Sequence, residues 1–214
     1  MYNSKLFEET RLDVLHEHIR QHPFGMLVTH TPKGLHANHI PFEVDADSLP
    51  YGTLRGHIAR ANPLWRDLPG NAQALAVFRG PNTYISPSWY PTKRETGKVV
   101  PTWNYSVVHA HGTLRFIEDR AWLRAFVEGL TNRYEGGRAD PWHITDAPSD
   151  YIEQMLGAIV GIEMPITRLE GKWKVSQNRP GQDRDGVIEN LGREGRESAA
   201  AMADLVRRYK EKPG

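Results

Sequence analysis

Hydrophobic positions along the chain recur with two different periods. Leu12, Leu15 and Ile19 fall at i, i+3 and i+7 within a charged segment, which predicts a helix with one apolar stripe. His22-Pro23-Phe24-Gly25 ends it, because proline cannot continue a helix and glycine tolerates the turn. From Met26 the period shortens. Met26–Thr29 reads as a strand, Thr31-Pro32-Lys33-Gly34 as a tight hairpin turn, and Leu35–Val44 as a second strand whose Pro41 marks an edge or a bulge. Gly52–Ile58 predicts a third strand. Ala59–Leu68 reads as a short helical crossover opened by Asn62-Pro63. Ala72–Phe78 is apolar at nearly every position, which predicts a central strand. Residues 79–98 are broken by Gly80, Pro81, Pro87, Pro91 and Gly97; the reading is a short strand at Thr83–Ser86 and then a mobile loop over Pro91–Lys98. Val99–Ile117 returns to strand, as two strands or one bent one. Asp119 is the expected N-cap of a helix to about Tyr134, with Trp122, Ala125, Phe126 and Gly129 on one face. A short helix opens at Pro148-Ser149-Asp150 and runs to about Leu156. Ile159–Leu169 and Lys172–Ser176 read as a last hairpin around Glu170-Gly171. Met202, Leu205, Val206 and Tyr209 predict a C-terminal helix from Glu197.

Strands and helices do not alternate strictly in this order, which argues against a doubly wound parallel sheet. The expected class is α+β, mainly β: an antiparallel barrel or sheet with peripheral helices. No break in composition separates domains, so residues 1–214 are expected to form a single domain with N- and C-terminal helices. The 214 residues are enough for a substantial core, and 39% of them are hydrophobic, which excludes intrinsic disorder. No run approaches the ~20 apolar residues of a membrane-spanning helix. Lys plus Arg is 27 and Asp plus Glu is 26, a formal charge of +1 that gives no overall footprint for nucleic acid. Cysteine is absent, which removes disulfides, Cys-bound metals and thiol nucleophiles. The polar N-terminus carries no signal-peptide core, so the expected compartment is cytoplasmic.

Neither glycine-rich phosphate loop is present, nor a G-x-S-x-G elbow or an H-E-x-x-H helix. His109 and His111 share a strand face and could chelate a metal jointly, but no third ligand lies near them in sequence; only fold contacts could supply one, and the expected reading is a half-exposed strand face with no metal site. Three segments carry more. Arg55-Gly56-His57-Ile58-Ala59-Arg60-Ala61-Asn62-Pro63 brings cations and amides to a strand end, where an anion can be held without a glycine loop. Tyr84, Trp89, Tyr90, Trp103 and Tyr105 concentrate aromatic faces within 22 residues, as a planar cofactor with a polar edge requires. Lys172, Lys174, Arg179 and Arg184 against Asp183 give residues 172–184 a local charge of +3, able to pin a phosphate or to form a solvated strand exit.

Taken in order, LHANHIPF at 35–42, RGHIARANP at 55–63, YISPSWY at 84–90, VPTWNY at 100–105 with His109–Gly112, and WKVSQNRP at 173–180 resemble the PaiB-type FMN-binding negative transcriptional regulators. That family belongs to the FMN-binding split-barrel group, with the pyridoxamine-phosphate oxidases. The resemblance implies a homodimer of split β-barrels with FMN in two clefts at the subunit interface. It implies that His57, Arg60 and Asn62 lie where relatives hold the FMN phosphate. The oxidases carry Ser-Arg-Lys there and this chain reads Ala59-Arg60-Ala61, so Arg55, His57 or Lys174 would have to replace one cation. It further implies Thr102, Trp103 and Asn104 near the flavin edge, Lys174 and Gln177 from the last hairpin, and His39 as an additional cofactor contact. Repression of transcription, and with it DNA as a partner, follows from the family label. An FMN-dependent oxidoreductase acting on a small molecule and a haem-binding or haem-degrading protein are the alternatives. No side chain is marked as catalytic, since FMN supplies its own chemistry.

Overall fold

A computed structural model describes residues 1–48, 50–68 and 71–210. In chain order it contains β1 (Glu8–Glu9), α1 (Leu12–Gln21), β2 (Phe24–Thr31), β3 (Gly34–Pro41), β4 (Glu43–Asp45), β5 (Thr53–Ala59), α2 (Leu64–Asp67), β6 (Gln73–Ile85), α3 (Thr92–Thr96), β7 (Thr102–Thr113), β8 (Arg115–Ile117), α4 (Arg120–Glu135), α5 (Ser149–Gly157), β9 (Ile159–Lys174), α6 (Gly181–Arg193) and α7 (Glu197–Lys210). The strand order is β3-β2-β6-β7-β9-β5-β4, and β1 and β8 also pair with β9. The pairings of β9 with β1, β5 and β8, of β2 with β3 and β6, and of β4 with β5 are antiparallel. The fold is a mainly antiparallel split barrel with several helices. Among the described residues no helix is long and apolar enough to cross a membrane.

The chain divides into two compact units, one of Met1–His18, Phe78–His109 and Glu170–Gly214, the other of Ile19–Val77 and Ala110–Leu169. In the second unit β2 and β3 form a hairpin around Pro32-Lys33, from Phe24↔Pro41 to Thr31↔Gly34. Gly34 has a φ of 110°, which a side chain would resist. β3 and β4 are separated only by buried Phe42 yet stand at opposite ends of the strand order. Asp119 caps α4 by accepting from the Trp122 amide at 2.7 Å. Leu123, Ile144, Ile152 and Leu156 then bury the α4–α5 face. In the first unit Phe78, Ile85, Val107, Trp173, Val187 and Met202 are core residues.

Four segments differ from the sequence expectation, and a close approach at a glycine is central to two. β9 is one strand through Glu170-Gly171 rather than a hairpin. A Cβ at Gly171 would lie 2.3 Å from Leu15 Cδ2 and 2.8 Å from the Glu9 carbonyl, so this glycine admits a close neighbour instead of turning the chain. α6 was not expected, because Gly181, Gly186 and Gly192 depress its helical reading. A Cβ at Gly186 would lie 2.0 Å from the Trp89 carbonyl oxygen. Residues 91–98 are not a loop but contain α3, whose Thr92 N and Oγ1 donate to the buried Asp183 carboxylate at 3.2 and 2.8 Å. β6 likewise continues through Gly80-Pro81, which the sequence reads as a break.

Candidate functional site

The ten residues singled out from sequence divide evenly between the units. Thr102, Trp103, Asn104, Lys174 and Gln177 belong to the first unit, where the start of β7 and the end of β9 bring them together. Lys174 Nζ donates to Thr102 Oγ1 and, at 2.9 Å, to the Trp103 carbonyl. Burial lowers its pKa, and the charges of Lys172 and Arg179 lower it further. Lys172, two residues away on the same strand face, is buried. Its Nζ donates to the Tyr2 carbonyl at 2.9 Å and lies 5.3 Å from the Tyr2 ring and 5.7 Å from that of Tyr105. Neither ammonium meets a carboxylate among the described residues. Trp103 is 51% exposed; its indole N–H donates to Asn82 at 3.3 Å, and Tyr84 stands edge-on to it at 6.3 Å. An exposed aromatic surface and two cations without carboxylate partners therefore share one part of the sheet.

The turn after Lys174 is rigid for a local reason. Ser176 has a φ of 68°, the one positive value at a non-glycine residue among those described. Its buried hydroxyl accepts from Asn104 Nδ2 at 2.9 Å. Gln177 turns inward, donating to the Trp173 carbonyl at 2.5 Å and accepting from the Val175 amide at 2.7 Å. Through these two bonds Gln177 braces the turn. Asn104 Oδ1 and Ser106 Oγ, on alternate residues of β7, are buried without a protein hydrogen-bond partner.

His39, Arg55, His57, Arg60 and Asn62 belong to the second unit. Their positive charge is largely matched. Arg55 pairs with Asp45 at 3.1 Å and Glu163 at 3.0 Å. Arg60 donates to Glu118 at 2.6 Å, to the Gly157 carbonyl at 2.8 Å and to the Ile159 carbonyl at 3.2 Å. Asn62 donates to Asn38 at 2.9 Å and accepts from the Leu64 amide at 3.0 Å, just before α2. The His57 ring lies edge-on to Phe126 at 5.9 Å, and burial lowers its pKa, disfavouring the charged form. Its Nδ1 is buried without a protein partner. His39 is exposed on β3 and packs against Phe24 at 5.8 Å.

The family described as "Putative FMN-binding domain" matches residues 1–168. The chain belongs to this family. An uncharacterized protein of Emericella nidulans is 36% identical over 97% of this chain and 96% of its own length. The Bacillus subtilis protein named Protease synthase and sporulation protein PAI 2 is 32% identical over 96% of both chains. Two solved structures share the fold: an FAD and heme binding protein from Mycobacterium smegmatis (TM-score 0.58, 17% identity, 78% of this chain and 73% of that one) and a conserved hypothetical protein from Mycobacterium tuberculosis (TM-score 0.59, 14% identity, 84% and 94%). The FMN-binding-domain match stops before Lys172, whereas the Bacillus and Emericella relatives extend over nearly the whole chain. Sequence reasoning placed Lys172 in a basic segment able to pin a phosphate but not among the individual cofactor residues, and it did not single out Ser176 as the hinge of the turn. The periodicity held a signal for Lys172, which shares a strand face with Lys174; the positive φ of Ser176 had none.

Proposed function

We propose that this member of the FMN-binding-domain family binds FMN through the aromatic and cationic surface of its first unit. The observation that carries the reading is the convergence of Trp103 and Tyr105 from β7 with Lys172 and Lys174 from β9, the two cations lacking carboxylate partners. The donor set fits a flavin nucleotide: apolar faces for a ring, hydroxyl and amide groups at Thr102 and Asn104 for its edge, and ammonium groups for an anion. A buried carboxamide oxygen without a donor, as at Asn104, costs about 1–3 kcal/mol, which a donor from the bound molecule would offset. Bound FMN would supply one- and two-electron chemistry. The protein's part is to hold it: Asn104 fixes Ser176, and Gln177 closes the turn that orients Lys174.

With this go the further expectations of the PaiB resemblance: a cytoplasmic homodimeric regulator acting as one functional domain, with the flavin as its ligand. Exposed Phe24 and Leu35 on the β2–β3 hairpin support a second copy as partner. Direct DNA contact has thinner support, since Arg207 and Lys210 of α7 pair with Asp204 and Asp185. Absorbance and fluorescence titration of the purified chain with FMN tests the reading. A flavin spectrum shifted on binding and a raised melting temperature are expected; a chain that changes neither refutes it. Retention of DNA that weakens with salt would extend the reading to an operator.

A further inference from the structure

We propose that Lys174 is the residue by which the chain selects a phosphate-bearing flavin over riboflavin, a role that rests on the flavin reading above. The argument is one of available charge. A phosphate monoester is a dianion and is held by cations and N–H donors not already bound to carboxylates. At the end of β5, where the sequence resemblance puts the phosphate, both arginines are engaged. Arg55 lies between Asp45 and Glu163, and Arg60 spans Glu118 and two carbonyls. A phosphate there would have to displace Asp45 and Glu163 from Arg55, and at Arg60 it would meet a guanidinium committed to the Gly157 and Ile159 carbonyls besides the exposed Glu118. Lys174 presents the opposite case. Its Nζ is fixed by two neutral acceptors, Thr102 Oγ1 and the Trp103 carbonyl, and meets no carboxylate among the described residues.

Its setting is also positive. Lys172 and Arg179 both act on Lys174, and their charges favour its neutral form in the absence of an anion. An arriving dianion reverses that balance, because it stabilises all three cations at once. The ammonium is held in place before any ligand arrives: Ser176, Asn104 and Gln177 shape the turn that follows it. Little ordering is therefore left for binding to supply. The adjacent exposed Trp103 offers a ring surface next to the anion position.

The test uses the whole chain, with FMN and riboflavin as paired probes, in wild type, Lys174→Met, Lys174→Arg and Arg60→Ala. Wild type is expected to bind FMN about 10–100-fold more tightly than riboflavin, the range of one charge-assisted contact. Lys174→Met should lose that advantage while its riboflavin affinity stays within about twofold, and Lys174→Arg should keep part of it. Arg60→Ala should keep the FMN-to-riboflavin ratio. Raising salt should narrow the ratio in wild type and not in Lys174→Met. If wild type binds both flavins equally, or Lys174→Met weakens both alike, Lys174 does not select the phosphate and the inference fails while flavin binding stands. If wild type binds neither, the flavin reading fails and takes this inference with it. Lys174→Arg retains a cation at the site, so its retained selectivity separates charge from any general damage caused by Lys174→Met.

Discussion

Replacing Arg60 by alanine separates a structural role from a ligand-binding one. The guanidinium ties the end of β5 to the α5–β9 connection through the Gly157 and Ile159 carbonyls at 2.8 and 3.2 Å. It also reaches Glu118 at 2.6 Å, but Glu118 is 57% exposed, so that ion pair is worth only about 0–1 kcal/mol. Each hydrogen bond from a charged donor contributes about 1.5–3 kcal/mol when sheltered. With Arg60 30% exposed, water replaces part of what is lost. The expected destabilisation is about 2–4 kcal/mol. Denaturant unfolding should show the midpoint falling at unchanged slope; with a slope of about 2 kcal/mol/M in urea the shift is about 1–2 M. Glu118→Gln, which removes only the exposed pair, should cost under about 1 kcal/mol. Paired FMN and riboflavin titrations of the alanine variant complete the assay. An Arg60→Ala chain that unfolds within about 0.5 kcal/mol of wild type and loses FMN selectively would place the phosphate at the end of β5 and overturn the reasoning.

Three further outcomes follow from the packing. Glu9 is buried, and although burial alone would raise its carboxyl, hydrogen bonds from Arg11 and Tyr209 hold it at about 2, against an ordinary 4.5. Its contribution, up to about 3 kcal/mol, is therefore complete above about pH 4.5 and lost as pH falls toward 2, so the stability gap between wild type and Glu9→Gln should narrow over that window in urea titrations. Asp183→Ala removes both acceptors of Thr92 and should cost about 2–3 kcal/mol while opening Lys93, Arg94 and Lys98 to trypsin; unchanged cleavage would show that α3 holds without its anchor. Gly186→Ala and Gly192→Ala both gain helix propensity, but only the first places a Cβ 2.0 Å from a carbonyl oxygen, whereas the second has nothing within 4 Å. Gly192→Ala should raise stability by about 0.5–1 kcal/mol and Gly186→Ala should lower it, and equal effects in unfolding experiments would show that the fold relaxes around Trp89.

Most elements were legible because their signals are local. The apolar stripe of α1, the Thr31-Pro32-Lys33-Gly34 turn, the Asp119 cap and the stripe of α7 each need only a few residues to be read. The misreading at Gly171 and the unread helix around Gly186 have one physical cause. A glycine in sequence reads as a place where the backbone turns, yet here it is a place where another segment comes too close for a Cβ. That neighbour is Leu15 and Glu9 in one case and Trp89 in the other, more than 90 residues away in sequence, and no window of local pattern contains it. The helical character of residues 92–96 was hidden for a related reason, since its anchor Asp183 is 91 residues distant.

The same limit governs the site. The two basic segments, at residues 55–60 and 172–184, look alike in sequence because both are clusters of like charge. What distinguishes them is the counter-ion, and counter-ions come from the fold. Glu163 reaches Arg55 across 108 residues through the β5–β9 register, and Glu118 reaches Arg60 across 58. Lys174 finds hydroxyl and carbonyl oxygens from β7 instead. A cation already facing carboxylates must exchange one anion for another to bind a phosphate, with little net gain. One held by neutral acceptors gains a full charge-assisted contact. By that criterion the proposed phosphate contact falls to Lys174, beyond the segment matched to the family, rather than to Arg60, within it.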